Sequence, residues 1–179
     1  MFLSSNKNLL IFLIGMPAVG KTYWGNKIAR EYTLPFIDLD AFIEQREQAT
    51  ITDLFARFGE DGFREKENKY LKQAINGNPG SAIIACGGGT PCFSDNISLL
   101  KAAGVVIYLR ADIAILLENI KNRAENRPLF SKKPDIVAYL ENLLKIRAPI
   151  FEQAHYVLDA KNLSLVAFDK IISLCTNQQ

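Results

Sequence analysis

Cysteine and histidine are scarce in this chain of 179 residues, which has three cysteines and one histidine. No two cysteines form a C-x-x-C pair, and an odd count does not suit a disulfide framework. The spacing of these residues also fails to match a zinc site, so His155 is expected to be structural. Such sparing use of cysteine is typical of the reducing cytoplasm, and we expect a cytoplasmic location.

Long hydrophobic runs and a strong charge of one sign are also missing. The apolar stretch at residues 9–14 is far shorter than a membrane span, and residues 1–8 do not resemble a signal peptide. A net charge of +2 does not favour nucleic acid or a membrane surface as the main partner. The ordinary composition predicts one globular domain over residues 1–179, with neither nucleic acid nor membrane as a partner.

The clearest positive signal is the segment of residues 15–22, which has the pattern G-x-x-x-x-G-K-T and directly follows an apolar run. A loop of this kind wraps its backbone N–H groups around a phosphate, and the following helix adds its positive dipole end. Lys21 is expected to reach the terminal phosphates, and the Thr22 hydroxyl to ligate Mg²⁺. The pattern favours a phosphate-binding loop over a plain glycine turn. The sequence therefore predicts a nucleotide-binding protein, and an enzyme in particular.

Two carboxylates follow at the next predicted strand, residues 36–40. Alternation along that strand predicts that Asp38 and Asp40 lie on one side, near its carboxyl end. Because ligands bind beyond the carboxyl ends of parallel strands, the pair indicates a site for Mg²⁺ or for a substrate hydroxyl. For Asp40 alone, a helix cap is the alternative. Helices are then predicted at residues 41–48 and 52–58, the second with Thr52 as its N-cap.

The rest of the chain continues to alternate strands with helices. In a helix from about residue 58 to residue 75, Arg64 and Glu67 can meet on one face, although spacing alone favours a solvated helix residue at Arg64. The glycines at 87, 88 and 89 follow a buried strand and let the backbone pass close to a ligand or expose its N–H groups. Further strands are predicted at residues 81–85, 105–109 and 156–158, and further helices at residues 95–103, 113–124, 135–147 and 163–175. This pattern predicts a three-layer α/β/α sandwich with a parallel sheet.

The polar segment of residues 126–134 is bounded by prolines and contains several basic residues. It can be a solvated linker, or a loop that closes over the nucleotide and brings an arginine to the transferring phosphoryl group. Composition alone leaves both interpretations open.

Taken in order, these motifs resemble the shikimate kinase family over about residues 9–159. They are the loop at residues 15–22, the D-x-D at Asp38 and Asp40, F-x-x-x-G-F-R-x-x-E at residues 58–67, the glycines at 87–89, R-P-L at 127–129 and R-A-P at 147–149. The resemblance implies a fold similar to that of the nucleoside monophosphate kinases, with five strands in the order 2-3-1-4-5. It also implies a P-loop kinase domain with a substrate-binding subdomain at about residues 38–67 and a mobile lid at about residues 124–134.

The implied reaction is transfer of the γ-phosphoryl group of ATP to the 3-hydroxyl of shikimate, with Mg²⁺ as cofactor and a monomer as the usual state. The implied catalytic residues are Asp40, Lys21 and Arg127, and the metal residues are Thr22 directly and Asp38 through water. The implied substrate-binding residues are Asp40, Arg64, Gly87, Gly88, Gly89 and Arg147. The implied nucleotide-binding residues are Gly15, Ala18, Val19, Gly20, Lys21, Thr22, Tyr23, Arg123 and Arg127.

Within these sets the resemblance also assigns individual tasks. Asp40 would orient the acceptor hydroxyl, and Arg64 and Arg147 would grip the shikimate carboxylate, which a guanidinium pairs bidentately. Glu67 would support Arg64. Arg127 would neutralise the transferring group and Arg123 would stack on adenine.

The sequence departs from the family pattern in three places. Pro17 and Ala18 stand where family loops often carry glycine, Phe151 stands where tyrosine is common, and residues 159–162, expected to face adenine, match poorly.

Two alternative functions would require other sequence features. The first is another small-molecule kinase, for gluconate or a nucleotide. Such substrates would need binding groups at other positions than Arg64 and Arg147, and the triple glycine favours shikimate. A nucleotide-dependent switch is the alternative from another class, but the GTPase motif N-K-x-D is absent from the sequence. An inactive homologue would be expected to have lost Asp40, Lys21 or Arg127, and all three are present.

Overall fold

The structure is a computed structural model that describes residues 9–78, 80–122 and 135–177. Within these ranges, five parallel strands form a single sheet in the order β2-β3-β1-β4-β5. The strands are β1 (Leu10–Ile14), β2 (Phe36–Asp38), β3 (Ala82–Ala85), β4 (Val105–Arg110) and β5 (Tyr156–Asp159). The predicted three-layer sandwich, its parallel sheet and the strand order implied by the resemblance are all confirmed.

Helices alternate with these strands and flank the sheet. They are α1 (Lys21–Tyr32), α2 (Leu39–Glu47), α3 (Ile51–Asn76), α4 (Asn96–Ala103), α5 (Ile113–Lys121), α6 (Ile136–Phe151) and α7 (Leu165–Asn177), with short 3₁₀ turns at Thr90–Cys92 and Ala160–Asn162. No helix in the described part of the chain is both long and apolar enough to cross a membrane.

The core is built around β1, all of whose residues are buried. This strand pairs with β3 on one side and β4 on the other, and helices cover the sheet. A parallel strand enclosed in this way has no solvent face, which explains its unbroken apolar run. At the sheet edge, the His155 Nδ1 accepts a hydrogen bond from the Val106 N–H at 3.0 Å, which supports the expected structural role of this histidine.

The second strand is shorter than predicted. It ends at Asp38, and α2 begins at Leu39, so Asp40 lies in the first turn of a helix. The Asp38 Oδ1 accepts hydrogen bonds from the N–H groups of Asp40 at 3.1 Å and Ala41 at 3.3 Å. The prediction that both aspartates lie on one strand was therefore wrong. An aspartate at this point satisfies the free N–H groups of a helix start and ends the strand.

The start of α3 also differs from the prediction. Thr50, not Thr52, is its N-cap, because the Thr50 hydroxyl accepts a bond from the Asp53 N–H at 3.1 Å and Asp53 bonds back to the Thr50 N–H. This reciprocal arrangement is a capping box. The two helices predicted at residues 52–58 and 58–75 form one helix with a kink at Gly59, whose backbone angles are φ 68° and ψ −175°.

The strand order brings three chain segments to one edge of the sheet. The carboxyl ends of β2, β3 and β1 are neighbours, and they lead respectively into Asp38, the glycines at 87–89 and the loop at residues 15–22. Ligands of open α/β sheets bind at this edge. The candidate site is therefore assembled by topology from segments that are far apart in the sequence.

Candidate active site

The loop at residues 15–20 connects β1 to α1 through positive backbone angles. The φ angles of Gly15, Ala18 and Gly20 are 140°, 68° and 102°. Gly15 also requires the absence of a side chain, because a Cβ there would lie 2.6 Å from the Leu109 carbonyl oxygen of β4. The Lys21 ammonium donates a hydrogen bond of 2.9 Å to the Gly15 carbonyl. The loop therefore curls over its lysine and presents the N-terminus of α1, a geometry that suits a phosphate.

Ala18 is a non-glycine residue in the left-handed region and is almost fully buried. Its carbonyl oxygen accepts a hydrogen bond of 2.9 Å from the Asn119 side-chain amide of α5. This contact spans 101 positions of sequence and fixes the orientation of the Ala18 peptide. Asn119 thus belongs to the loop's support, a role that the sequence analysis missed because nothing local marks the residue.

A hydroxyl and a carboxylate meet at the start of α1. The Thr22 hydroxyl donates a hydrogen bond of 2.6 Å to the Asp38 Oδ2, while the other oxygen of Asp38 caps α2. Oxygen ligands of this kind suit Mg²⁺, which keeps several waters and commonly takes one or two protein ligands beside substrate phosphates. Within the described residues there is no group of three His, Cys, Asp or Glu side chains that could hold a metal ion. Thr22 and Asp38 are two oxygen donors of the kind that a magnesium ion shared with a nucleotide can use.

The Asp40 residue is partly open to solvent, but protein atoms surround much of its carboxyl group. The pKa of Asp40 is raised to about 6, chiefly by loss of solvent and then by the negative charges of Asp38 and Glu67, while the positive charge of Lys21 lowers it. A carboxyl group with this pKa is ionised at neutral pH and is a better base than an ordinary aspartate.

Gly87 is the point where two carboxylates approach the turn after β3. A Cβ at this position would lie 2.8 Å from the Asp40 Oδ1 and 2.8 Å from the Glu67 Oε1. The glycine run, all of which is described, has no positive φ angle, so left-handed geometry is not the reason for it. These positions require glycine because other groups approach the backbone closely. Close approach was one of the two expectations drawn from the sequence.

Gly88 and Gly89 extend the same close approach. A Cβ on Gly88 would lie 2.8 Å from the Pro17 ring of the phosphate loop, and a Cβ on Gly89 would overlap the Arg64 guanidinium. The Gly88 carbonyl accepts a hydrogen bond of 3.1 Å from the Arg147 guanidinium. The turn therefore joins the phosphate loop to both arginines.

Arg64 is held on the α3 face as the sequence predicted. Its Nη1 donates a hydrogen bond of 2.7 Å to the Glu67 Oε2. Its guanidinium carbon also lies 5.6 Å from the ring centroid of Phe55 and 5.4 Å from that of Phe63. These two rings stack on each other and were missed by the sequence analysis, although Phe63 directly precedes Arg64 in the motif.

Arg64 and Arg147 line one pocket of about 290 Å³ between α3, the glycine turn and α6. The side chain of Cys92 and the apolar side chain of Leu143 also line it. Loss of solvent lowers the pKa of Arg147, and the positive charge of Arg64 lowers it further. The two guanidinium groups share this pocket with the carboxylates of Glu60 and Asp61. A ligand carboxylate fits the planar fork of a guanidinium.

Two predicted residues cannot be placed. Arg123 and Arg127, together with the predicted lid at residues 124–134, lie outside the described residues.

On the nucleotide side, Tyr23 is 52% exposed and lines, with Thr22, an open hollow of about 820 Å³ beside α1.

The fold and the site together define a P-loop kinase with a small pocket lined by two arginines. The family model described as shikimate kinase matches residues 17–176. The chain belongs to the shikimate kinase family, the ATP-dependent kinases that phosphorylate shikimate on the path to chorismate and the aromatic amino acids.

Individual relatives agree with this assignment. A shikimate kinase of Phocaeicola vulgatus is 38% identical over 155 residues, which cover 86% of this chain and 87% of that protein. The crystal structure of shikimate kinase from Bacteroides thetaiotaomicron matches with a TM-score of 0.82 at 34% identity, covering 87% of this chain and 89% of that one. Shikimate kinase from Acinetobacter baumannii in complex with shikimate matches with a TM-score of 0.84 at 31% identity, covering 97% and 96%.

Proposed function

We propose that this enzyme transfers the γ-phosphoryl group of ATP to the 3-hydroxyl of shikimate, giving shikimate 3-phosphate and ADP. The observation that carries the proposal is the convergence of Arg64 and Arg147 on one pocket at the glycine turn. Shikimate is a small hydroxylated carboxylate, and its acid group would pair with these two guanidinium groups. The stacked rings of Phe55 and Phe63 would support the Arg64 guanidinium, whose carbon lies 5.6 and 5.4 Å from the two ring centroids.

Asp40 would hold the acceptor hydroxyl and accept its proton. Its raised pKa, about 6, supports this role because the group is ionised at neutral pH and still basic enough to take a proton during transfer. The Asp40 Oδ1 lies close to Gly87, the first residue of the glycine turn, and the last residue of that turn, Gly89, lines the pocket of Arg64 and Arg147.

The phosphate loop would bind the nucleotide. The backbone N–H groups at the start of α1 would cradle phosphate oxygens, and Lys21 would neutralise their charge. Ala18, Val19, Gly20 and Tyr23 would complete the cradle. Arg127 would neutralise the transferring group and Arg123 would stack on adenine, and both assignments rest on the family motif alone.

Thr22 and Asp38 would hold Mg²⁺, Thr22 directly and Asp38 through water. When bound with ATP, the ion would neutralise charge on the β- and γ-phosphate oxygens. The hydroxyl–carboxylate contact of 2.6 Å supports this pair as the site.

The state and location of the enzyme are part of the proposal. We expect one domain over residues 1–179 acting as a monomer in the cytoplasm, without nucleic acid or membrane as a partner. The three cysteines all lie in the described part of the chain and are free thiols, which suits a reducing compartment.

The first experiment is a coupled ADP-release assay with Mg·ATP, in which shikimate is compared with gluconate and a panel of nucleoside monophosphates. Turnover with shikimate alone is the expected result. Turnover with another acceptor would leave a kinase but overturn the substrate assignment. ATP binding without turnover on any acceptor would favour a regulatory module.

An Arg147→Ala variant then tests the acceptor pocket. Shikimate binding should weaken by about 2 to 5 kcal/mol, the cost of truncating one partner of a desolvated charge pair. An unchanged shikimate affinity, measured by calorimetry, would contradict the role of Arg147.

A further inference from the structure

The Glu67 carboxylate lies inside the protein, with 1% of the residue exposed, and both of its oxygens have a hydrogen-bond donor. The Oε2 accepts from the Arg64 guanidinium at 2.7 Å, and the Oε1 accepts from the Thr90 hydroxyl at 2.6 Å. A buried carboxylate is stable only when such donors replace its hydration. Thr90 therefore satisfies the oxygen that Arg64 does not reach.

Thr90 is itself fixed from two sides. It is fully buried at the start of the 3₁₀ turn after the glycine run, and its N–H donates to the Gly87 carbonyl at 3.2 Å. Its carbonyl accepts a bond of 2.8 Å from the buried Asn96 side chain, which in turn accepts one from the Asn68 amide. The hydroxyl of Thr90 is thus attached to a backbone that cannot easily shift.

We propose that Thr90 is a positioning residue for acceptor binding, because its hydroxyl fixes the Glu67 carboxylate and thereby holds Arg64 against Gly89, facing the acceptor pocket. The inference rests on the proposed role of Arg64 in binding the substrate carboxylate. A Cβ at Gly87 would lie 2.8 Å from the Glu67 Oε1 and 2.9 Å from the Thr90 Oγ1, so the hydroxyl–carboxylate pair sits directly on the glycine turn.

A competing carboxylate explains why Arg64 needs this restraint. Glu60 lies one helical turn before Arg64 on α3, its side chain is 71% exposed, and its Oε1 is 3.6 Å from the Arg64 Nη2. If Glu67 loses its second donor, its carboxylate can rotate and its hold on Arg64 weakens. Arg64 can then turn toward Glu60, which also lines the pocket on its outer side.

The test is a Thr90→Val variant, which removes the hydroxyl while keeping the branched shape, with Thr90→Ser as the rescue. Calorimetry would measure the affinities for shikimate and for ADP, so the readout does not depend on turnover. We expect Thr90→Val to weaken shikimate binding about tenfold or more, as for a lost hydrogen bond to a charged group, and to leave ADP affinity within about twofold. Thr90→Ser should restore shikimate affinity.

Thr52→Val is the matched control, because Thr52 is exposed in the first turn of α3 and away from the pocket. It should leave both affinities unchanged. If Thr90→Val lowers only the melting temperature, or weakens ADP and shikimate equally, Thr90 has a purely structural role and the proposal is overturned. Should the valine variant fail to fold, Thr90→Ala removes the same hydroxyl without the branched bulk and is judged by the same outcomes.

An Arg64→Ala variant separates this inference from the proposed function. If Arg64→Ala leaves shikimate affinity unchanged, the role of Arg64 itself is wrong. If Arg64→Ala weakens shikimate binding and Thr90→Val does not, only the positioning proposal is wrong. When both are correct, adding Thr90→Val to Arg64→Ala should cause no further loss of shikimate affinity, because the two residues act through one contact.

Discussion

Asp40 shows how a single side chain acquires its chemistry from its neighbours. Loss of solvent and the charges of Asp38 and Glu67 raise its pKa to about 6, while Lys21 opposes them. Two of these neighbours come from other segments of the chain, and Gly87 lets the carboxylates approach the turn after β3. The basicity of the residue is therefore a property of the assembled site.

The raised pKa leads to a prediction for the pH dependence of activity. Only the ionised carboxylate can take the acceptor proton, so kcat/KM for shikimate should fall by about tenfold per pH unit below about pH 6. Asp40→Asn should lower kcat by about 10²- to 10⁴-fold, the usual contribution of a general base, and leave ADP affinity intact. If kcat/KM instead falls around pH 4, or if the fall near pH 6 persists in the asparagine variant, another group is responsible for the pH dependence.

Contacts between elements connect the two halves of the site. The turn after β3 touches the phosphate loop through Gly88 and Pro17 and the acceptor pocket through Gly89 and Arg64. On the far side of the loop, α5 holds the Ala18 carbonyl. The positions of these elements thus decide how the nucleotide and acceptor face each other.

The contact between α5 and the phosphate loop can be tested by Asn119→Ala. Without the amide, Ala18 loses the hydrogen bond that holds its peptide in the left-handed conformation, and ADP affinity should fall about fivefold for a bond worth about 1 kcal/mol. Shikimate affinity should not change. The matched control is Glu118→Ala, an exposed position on the same helix. Equal loss for both ligands would instead indicate general damage to the fold.

The kink in α3 gives a prediction for stability. Gly59 adopts φ 68° and ψ −175°, a region nearly restricted to glycine, and a Cβ there would meet nothing within 4 Å. Gly59→Ala should therefore destabilise the fold by about 1 to 3 kcal/mol through backbone strain alone. Gly80→Ala is the control, since its Cβ would also meet nothing and its φ is not positive. Chemical denaturation of both variants measures the difference, and equal stabilities would contradict the strain argument.

At the scale of the whole molecule, both proposed substrate sites lie on the same edge of a single sheet. The buried strand β1 feeds the phosphate loop, and its neighbour β3 feeds the glycine turn beside the acceptor pocket. Neither site has a core of its own in the described part of the chain, where one apolar cluster extends across the sheet. The two sites should therefore unfold together.

This expectation can be tested by calorimetry with each ligand. ADP or shikimate at about 100 times its Kd should each stabilise the folded state by about 2.7 kcal/mol. For a chain of this size the single melting transition should rise by about 5 to 10 °C with either ligand. Two melting transitions, of which each ligand shifts only one, would show that residues 1–179 form more than one unit.

The sequence by itself determined the parts of this protein that depend on local pattern. The loop at residues 15–22 and the alternation of strands with helices follow from short-range spacing. Helix geometry allowed Arg64 to meet Glu67, and only the family motifs predicted the contact that the structure shows. The family motifs added the strand order and the set of candidate site residues.

Other features were decided only by the tertiary structure. Asp38 became a helix cap because the first N–H groups of α2 needed an acceptor, which the alternation of residues 36–40 does not reveal. The raised pKa of Asp40 comes first from loss of solvent on folding and then from the charges of Asp38 and of Glu67, which belongs to another helix. The supports at Thr90 and Asn119 act across 23 and 101 positions of sequence. A hydrogen bond or an electric field depends on distance in space, and only the packing of the elements sets that distance.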